Sequence, residues 1–213
     1  MSAASTARAE ILRRATAAIG AAGAEPVTVP RRYRSAGGLG PEGRVDLFCE
    51  RAADYRARVH RFAAAELDAA LAARCEELRA RRLVAAPAAP WRPGGAEVEV
   101  DDPPLAAARL DQLDGVLSGC AVAIAETGTV VLDGSPLCGR RALTLVPDLH
   151  LCVVAAANVV ETVPEAVAAL APAVAAGAPL TFVSGPSATS DIELQRVDGV
   201  HGPRQLELFV VWY

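Results

Sequence analysis

The side chains best suited to chemistry lie in three short polar segments of the C-terminal half: IAETGT, GPSATSDIE and GVHGPR. Carboxylates and imidazoles can act as bases, hydroxyls donate and accept hydrogen bonds, and a guanidinium binds anions through two parallel hydrogen bonds. The segments contain the candidate site residues Glu126, Thr127, Gly128, Gly185, Ser187, Thr189, Asp191, His201 and Arg204.

The second segment combines the features of an anion site. Gly185 permits close approach of the backbone, and Ser187 and Thr189 supply hydroxyl groups. A short helix beginning near Ser187 would add free N–H groups that favour an anion, and Arg204 would clamp it. The expected ligand is a small carboxylate or phosphate, although Ser-Gly-Pro-Ser is equally common in ordinary turns.

Three side chains are candidates for catalysis: Glu126 and Asp191 as base or nucleophile, and His201 as a group that titrates near neutral pH. Each also has a structural interpretation. AETG is typical of a tight turn with a positive φ angle at Gly128, and a histidine flanked by glycines is more often structural. His150, within PDLHLCVV, is predicted to be a satisfied residue of a strand.

The composition excludes several mechanisms. The chain has no lysine, since arginine supplies all 21 basic residues. Schiff-base lysines and the phosphate-binding Walker lysine are therefore excluded. The arginines alternate with acidic residues in stretches such as ERAADYRARVHRF, which does not indicate nucleic-acid binding.

Five scattered cysteines form no CxxC pair, and the histidines show no metal-ligand spacing. We therefore expect no disulfide framework, no metal and no cofactor on this chain. The N-terminus lacks a signal-peptide pattern, and the longest uncharged stretch, residues 166–190, contains three prolines. The expected location is the cytoplasm, without a membrane span.

The hydrophobic pattern predicts helices over residues 5–22, 43–56 and 65–80, and a further helix from Thr162 to the vicinity of Gly177. Short β-branched runs predict strands at ARVHRF, LVAAP, CAVAI and residues 98–100, 115–117, 129–132, 143–146, 151–154, 180–183 and 206–212. The runs are continuous rather than alternating, as in strands buried on both faces. The predicted fold is an open, mostly parallel α/β sheet with helices on both faces.

The expected organisation is a single α/β domain over residues 1–213. Residues 1–57 form a mainly helical N-terminal part of it. Residues 86–104, rich in proline and glycine, form a long surface connection.

Four motifs occur in an order that resembles the LUD-domain family: IAETGT, the P-x-L-H-x-x-V segment at residues 147–153, the GPS-x-T-x-DIE segment and GVHGPR. The resemblance covers roughly residues 113–213. It implies a fold similar to the sugar-phosphate isomerase and CoA-transferase group. It also implies a role in oxidising L-lactate to pyruvate together with partner proteins that carry iron–sulfur clusters.

Because the chain lacks cysteine clusters, the resemblance implies a non-redox component of such a system with a small-anion-binding rim. The alternative is a self-sufficient isomerase or acyl- or CoA-transferase-like enzyme, which would need Glu126 within reach of Ser187 and Arg204. A regulatory or assembly module is a third hypothesis. Whether the chain is itself an enzyme, and whether it forms a homo-oligomer, stay open at this point.

Overall fold

The structure is a computed structural model that describes residues 3–21, 28–189, 197–199 and 201–213. The chain divides into two compact units, residues 1–33 and residues 34–213. The first unit contains helix α1 (Ala3–Ala21), which confirms the helix predicted over residues 5–22. All further elements belong to the second unit.

In the described part of the chain the remaining helices are α2 (Pro41–Asp54), α3 (Leu67–Leu78), α4 (Ala107–Leu110), α5 (Val163–Ala169) and α6 (Ala171–Ala175). The 3-10 helices are Ala64–Glu66, Arg141–Thr144 and Ala156–Asn158. The strands are β1 (Arg58–Ala63), β2 (Arg82–Ala85), β3 (Glu97–Val100), β4 (Gly115–Gly119), β5 (Val122–Ile124), β6 (Thr129–Leu132), β7 (Leu149–Ala155), β8 (Val159–Val160), β9 (Thr181–Val183), β10 (Ala188–Thr189), β11 (Val197–Asp198) and β12 (Gln205–Trp212). Among the described residues, no helix is both long and apolar enough to cross a membrane.

The main sheet contains six strands in the order β1-β12-β7-β4-β2-β3. Every neighbouring pair is parallel. All residues of β4 are buried, and β7 and β12 are buried along most of their lengths. Continuous apolar runs are typical of parallel strands that are covered on both faces. The predicted open, mostly parallel α/β sheet is therefore confirmed.

The two faces of this sheet are covered differently. Helix α3 packs on one face, where Leu71 lies in a buried cluster with Leu151 and Phe209. Helix α2 packs on the opposite face, where Phe48 lies in a cluster with Leu208. A second sheet, which the sequence pattern did not predict, shares that opposite face with α2.

The second sheet has four strands in the order β8-β5-β6-β9. Its β5–β6 and β6–β9 pairs are antiparallel, and its β5–β8 pair is parallel. Ala123 and Val130 face the main sheet within the cluster of α2. On the other side, Ile124 and Val131 pack against Ala166 of α5. This sheet is therefore a buried layer between the main sheet and α5.

Residues 143–146 do not form the predicted strand. They overlap a 3-10 helix, Arg141–Thr144. The Arg141 guanidinium donates a hydrogen bond to the Thr144 carbonyl oxygen (2.7 Å) and closes this turn. A short apolar run fits a buried turn as well as a strand, because the period cannot be read over four residues. The strand prediction was wrong for that reason.

The helix predicted to begin at Thr162 does begin there. Thr162 Oγ1 accepts a hydrogen bond from the Glu165 N–H (3.3 Å), and the Glu165 carboxylate accepts one from the Thr162 N–H (2.7 Å). The helix does not run unbroken toward Gly177, however. It divides at Leu170 into α5 and α6, since Pro172 has no N–H with which to continue the hydrogen-bond ladder.

A buried charged cluster lies between the main sheet and α3. Glu207 of β12 is 1% exposed. Its carboxylate accepts two hydrogen bonds from the Arg74 guanidinium, both 2.8 Å long, and lies 2.8 Å from His60 Nε2. Burial alone would raise the pKa of Glu207, but the hydrogen bonds from His60 and Arg74 hold that pKa below its ordinary value. The hydrogen bonds from Arg74 and His60 thus stabilise the charged form of Glu207 in the interior.

Candidate functional site

The GPS and HGPR segments meet in the structure. The Ser187 N–H donates to the Pro203 carbonyl oxygen (2.8 Å), and the His201 N–H donates to Ser187 Oγ (2.9 Å). The Gly199 N–H donates to the Ser187 carbonyl oxygen (2.8 Å). Two of the segments singled out in the sequence are therefore one hydrogen-bonded unit, centred on Ser187.

The unit adjoins a short antiparallel ribbon and one edge of the main sheet. Among the residues that the structure describes here, no helix begins near Ser187, because the chain continues into β10, which pairs with β11 as an antiparallel ribbon. The HGPR segment precedes β12, so it lies at the amino-terminal edge of the parallel sheet rather than at the carboxyl edge, where ligand loops are usual. Thr189 lies in β10, and Asp191 lies outside the described residues.

The IAETGT segment forms the turn between β5 and β6. Gly128 has a φ of 59°, which confirms the expected positive value. A Cβ atom at Gly128 would lie 2.3 Å from the backbone nitrogen of Ala52 in α2. Gly185 approaches α2 in a similar manner, since a Cβ atom there would lie 2.5 Å from the Tyr55 carbonyl oxygen. Both glycines thus permit close backbone contact with the C-terminal end of one helix.

Glu126 lines a cleft of about 710 Å³, together with Thr127 and Ser184. Its carboxylate forms an ion pair with Arg34, which also donates to Glu161 (2.8 Å). The Arg34 guanidinium neutralises much of the charge that a base or nucleophile would use. Arg34 is a partner that the sequence pattern did not reveal.

A chain of hydroxyl groups crosses the same cleft. Thr129 Oγ1 lies 2.7 Å from Thr127 Oγ1 and 2.8 Å from Ser184 Oγ. Ser184 and Phe182 also line a second, smaller pocket, so these residues form part of the wall between the two. The cleft can therefore offer several hydrogen-bonding groups but little net charge.

The second pocket has a volume of about 240 Å³ and is lined by residues of both sheets. It contains the predicted site residues Gly185, Ser187 and His201. It also contains Arg141 and His150, which were not predicted as site residues. The Arg141 guanidinium is fixed by hydrogen bonds to the carbonyl oxygens of Thr144 (2.7 Å) and His201 (3.0 Å).

His150 lies on β7 and is 1% exposed. Its Nε2 atom lies 2.8 Å from Ser118 Oγ, which confirms the prediction of a satisfied strand residue. Burial, together with the nearby charge of Arg141, lowers the pKa of His150 to about 4. The imidazole is therefore neutral at physiological pH. A lone histidine in an otherwise apolar strand is the signal that could have marked it as a site residue.

This buried histidine makes a testable contribution to acid sensitivity. Because the folded-state pKa of about 4 lies below the unfolded value of 6.5, the unfolded chain binds the proton first as the pH falls. His150 stabilises the fold fully above the unfolded pKa, and this stability is lost as the pH falls toward the folded pKa. Between about pH 7 and pH 5 we expect the unaltered chain to lose about 2 kcal/mol more unfolding free energy than His150→Gln. Urea unfolding at both pH values measures the difference, and equal losses would contradict it.

Arg204 lines a third pocket of about 150 Å³, with Arg56 and Arg58. Its Nε atom lies 3.6 Å from Asp148 Oδ1, and Arg58 Nε lies 3.9 Å from the Glu207 carboxylate. These contacts are longer than the 2.8 Å bonds of Arg74. Arg204 and Arg58 are therefore only weakly paired, and together with Arg56 they line one small concavity, which suits an anion.

The predicted site residues are thus divided among three pockets. Glu126 and Thr127 line the large cleft, Ser187 and His201 line the second pocket, and Arg204 lines the third. The arrangement that an independent enzyme was expected to need, with Glu126, Ser187 and Arg204 in one pocket, is not present. Within the described residues, no group of three or more His, Cys, Asp or Glu side chains is arranged to hold a metal ion.

Comparison with known proteins shows that this chain is similar to several bacterial proteins named lactate utilization protein C. It is 52% identical over 164 residues to lactate utilization protein C of Deinococcus radiodurans, a match that covers 77% of each chain. It is 34% identical over 86 residues to lactate utilization protein C of Bacillus subtilis, which covers 38% of this chain and 35% of that one. The chain therefore spans most of the first relative and about a third of the second.

The fold gives the same relationship. The crystal structure of a DUF162 family protein from Deinococcus radiodurans matches with a TM-score of 0.69 and 43% identity, over 82% of this chain and 99% of that one. The model of the LUD domain matches residues 106–211, which contain all four motifs recognised in the sequence. The chain belongs to the LUD-domain family.

Proposed function

We propose that this protein is a non-redox component of an L-lactate oxidation system, in which lactate is converted to pyruvate, and that its C-terminal motifs form a small-anion-binding rim. The observation that carries the proposal is the union of GPS and HGPR around Ser187, directly beside the three arginines that surround the third pocket. The name shared by the bacterial relatives supplies the metabolic context.

The rim is suited to the anions of this reaction. Lactate and pyruvate each carry one carboxylate, and guanidinium groups bind carboxylates through paired hydrogen bonds. Arg204, Arg56 and Arg58 supply the charge, and Pro186 separates their pocket from the one around Ser187. A small carboxylate or phosphate is the expected ligand of this rim.

The proposed partners are iron–sulfur proteins of the same system. The five cysteines of this chain are isolated in the sequence, and Cys75, Cys120, Cys138 and Cys152 are buried. Burial raises the pKa of Cys138 to about 12 and also raises that of Cys75, so both thiols stay protonated. On this proposal the electrons pass through the partners, while this chain binds the substrate or its product, or orders the assembly.

The first test is growth on L-lactate as the sole carbon source, in a strain that lacks this gene and also lacks every independent lactate dehydrogenase. We expect no growth without the gene and full growth with the unaltered chain. Arg204→Ala should fail to restore growth, because it removes a charge of the rim. Arg82→Ala is the matched control, since Arg82 is also an exposed arginine with a weak carboxylate partner at 3.4 Å, and it should restore growth.

Growth of the deletion strain on L-lactate would contradict the proposed role in L-lactate oxidation. Loss of function in Glu126→Gln with normal growth of Arg204→Ala would instead favour the self-sufficient enzyme, with its chemistry in the large cleft. If every variant restores growth, the role in lactate oxidation is kept. The chain would then be assigned to assembly of the system rather than to binding of an anion.

A further inference from the structure

A fourth pocket, of about 400 Å³, lies at the opposite edge of the main sheet from the HGPR segment. The residues that line it are Pro41, Arg44, Ala156, Ala157, Trp212 and Tyr213. We infer that this pocket binds a planar aromatic molecule that carries a carboxylate group. It is a second site, and it does not depend on the anion rim.

The position of this pocket follows from the two strands that end beside it. Trp212 is the last residue of β12, and Ala156 directly follows β7, the parallel neighbour of β12. In open parallel sheets, the loops at the carboxyl ends of the strands usually build the ligand site. The HGPR segment lies at the other edge. The pocket therefore occupies the edge at which a ligand is usual in such a sheet.

Arg44 supplies the positive charge of the pocket. Its Nε atom is buried, and in the described part of the chain it is the only buried side-chain nitrogen or oxygen without a hydrogen-bond partner. Nearly all buried polar groups of folded proteins are hydrogen-bonded, so this exception indicates an interaction that the chain alone does not provide. Turning the guanidinium toward a ligand would break no hydrogen bond of Nε and would supply the acceptor that this atom lacks.

Other arginines of the protein show which partner suits such a group. Arg74 binds the Glu207 carboxylate through Nε and NH2 together, and Arg140 binds Asp101 in the same way (2.7 and 3.0 Å). This paired geometry matches the two oxygen atoms of a carboxylate. Arg44 is the only one of the lining residues with a charged side chain. One carboxylate would therefore balance the charge of the pocket.

The remaining walls are suited to a flat ring. Trp212 and Tyr213 contribute aromatic side chains, and rings attract one another in offset and edge-to-face contacts. The Arg61 guanidinium lies 5.1 Å from the centre of the Trp212 ring and pairs with Asp46 (2.6 Å), so it holds this ring in place. Pockets for drug-sized ligands occupy roughly 300–1,000 Å³. A volume of about 400 Å³ therefore suits one or two fused rings.

The large cleft also combines an arginine with aromatic side chains, because Arg51 and Tyr55 line it. Arg51, however, already lies 3.5 Å from the Asp54 carboxylate, and Glu126 contributes a negative charge to the same cleft. Among the described residues, no acidic side chain lines the pocket of Arg44. A carboxylate ligand is therefore expected at Arg44 and not in the cleft.

Isothermal titration calorimetry of the purified full chain at neutral pH tests the inference with three probes. The first, 1-naphthoate, carries both the ring and the charge. Its analogue 1-naphthalenemethanol has the ring without the charge, and cyclohexanecarboxylate has the charge without an aromatic ring. We expect 1-naphthoate to bind about tenfold more tightly than either analogue, because each analogue lacks one of the two interactions.

Two variants and a control locate the bound probe. Arg44→Gln should weaken binding of 1-naphthoate about tenfold and leave 1-naphthalenemethanol unchanged, since it removes only the charge. Trp212→Leu should weaken both naphthalene probes and leave cyclohexanecarboxylate unchanged. Arg51→Gln is the matched control, because Arg51 lies on the same helix, α2, but lines the large cleft. It should leave all three affinities unchanged.

Equal affinities for the three probes would overturn the inference, and so would the absence of binding by 1-naphthoate or an unchanged affinity for it in Arg44→Gln. Loss of 1-naphthoate binding in Arg51→Gln alone would place the ligand in the large cleft, which also contradicts the inference. Circular dichroism of each variant separates lost binding from lost folding. The comparison of probes on the unaltered chain needs no variant, so it decides the question even if Trp212→Leu does not fold.

Discussion

Replacing Arg74 with methionine is expected to lower the free energy of unfolding by about 3–5 kcal/mol. Arg74 donates two hydrogen bonds to Glu207, a carboxylate that is 1% exposed on the main sheet. Methionine keeps much of the apolar stem of the side chain but removes the charge. Glu207 would then be left in the interior with His60 as its remaining close partner.

Urea unfolding, followed by the fluorescence of Trp91 and Trp212, measures this loss. Arg82→Met is the control, because its partner Asp114 is about one-third exposed and such pairs contribute only about 0.2–1 kcal/mol. The double variant Arg74→Met, Glu207→Leu should recover part of the stability, since it removes the unpaired buried charge. An Arg74→Met loss as small as that of Arg82→Met would show that the buried pair contributes little.

Gly128→Ala is expected to destabilise the protein by about 2–5 kcal/mol. A residue with a side chain at φ 59° costs roughly 1–2 kcal/mol. The added methyl group would also lie 2.3 Å from the backbone nitrogen of Ala52, a contact that requires the turn and α2 to separate, at a further cost of about 1–3 kcal/mol. Unfolding in urea gives the total.

Gly177→Ala separates the two contributions. Gly177 also has a positive φ, 74°, but a methyl group there would meet no atom within 4 Å. Its replacement should therefore cost only the backbone strain. Equal losses for Gly128→Ala and Gly177→Ala would mean that close contact with α2 does not limit the position of the IAETGT turn.

The sequence was sufficient where the structure depends on local patterns. The capping box at Thr162, the positive φ at Gly128 and the buried strands of the main sheet all follow from neighbouring residues. The second sheet was not predictable in the same way. Its strands β5, β8 and β9 have three residues or fewer, and they are brought together by contacts between segments that lie far apart in the chain.

The same distinction applies to the candidate site. The sequence predicted that Arg204 would act together with Ser187, but it revealed neither the hydrogen bond between Ser187 and His201 nor the two further arginines in the pocket of Arg204. Arg58 pairs in register with Glu207 because β1 is the parallel neighbour of β12. This pairing also places Arg56, just before β1, in the pocket of Arg204, just before β12. The pairing of strands so distant in sequence cannot be derived from the composition of either segment.

The close approach of Gly128 and Gly185 to one helix end affects any attempt to graft these motifs. The IAETGT turn packs against the backbone at Ala52 through Gly128, and the GPS segment packs against the Tyr55 carbonyl oxygen through Gly185. Both loops therefore take their positions from the last turn of α2, although no motif lies within that helix. Grafting these motifs into another α/β protein would therefore require the last turn of α2 as a third segment. Without that turn, the two loops would lack the backbone surface that positions them relative to each other.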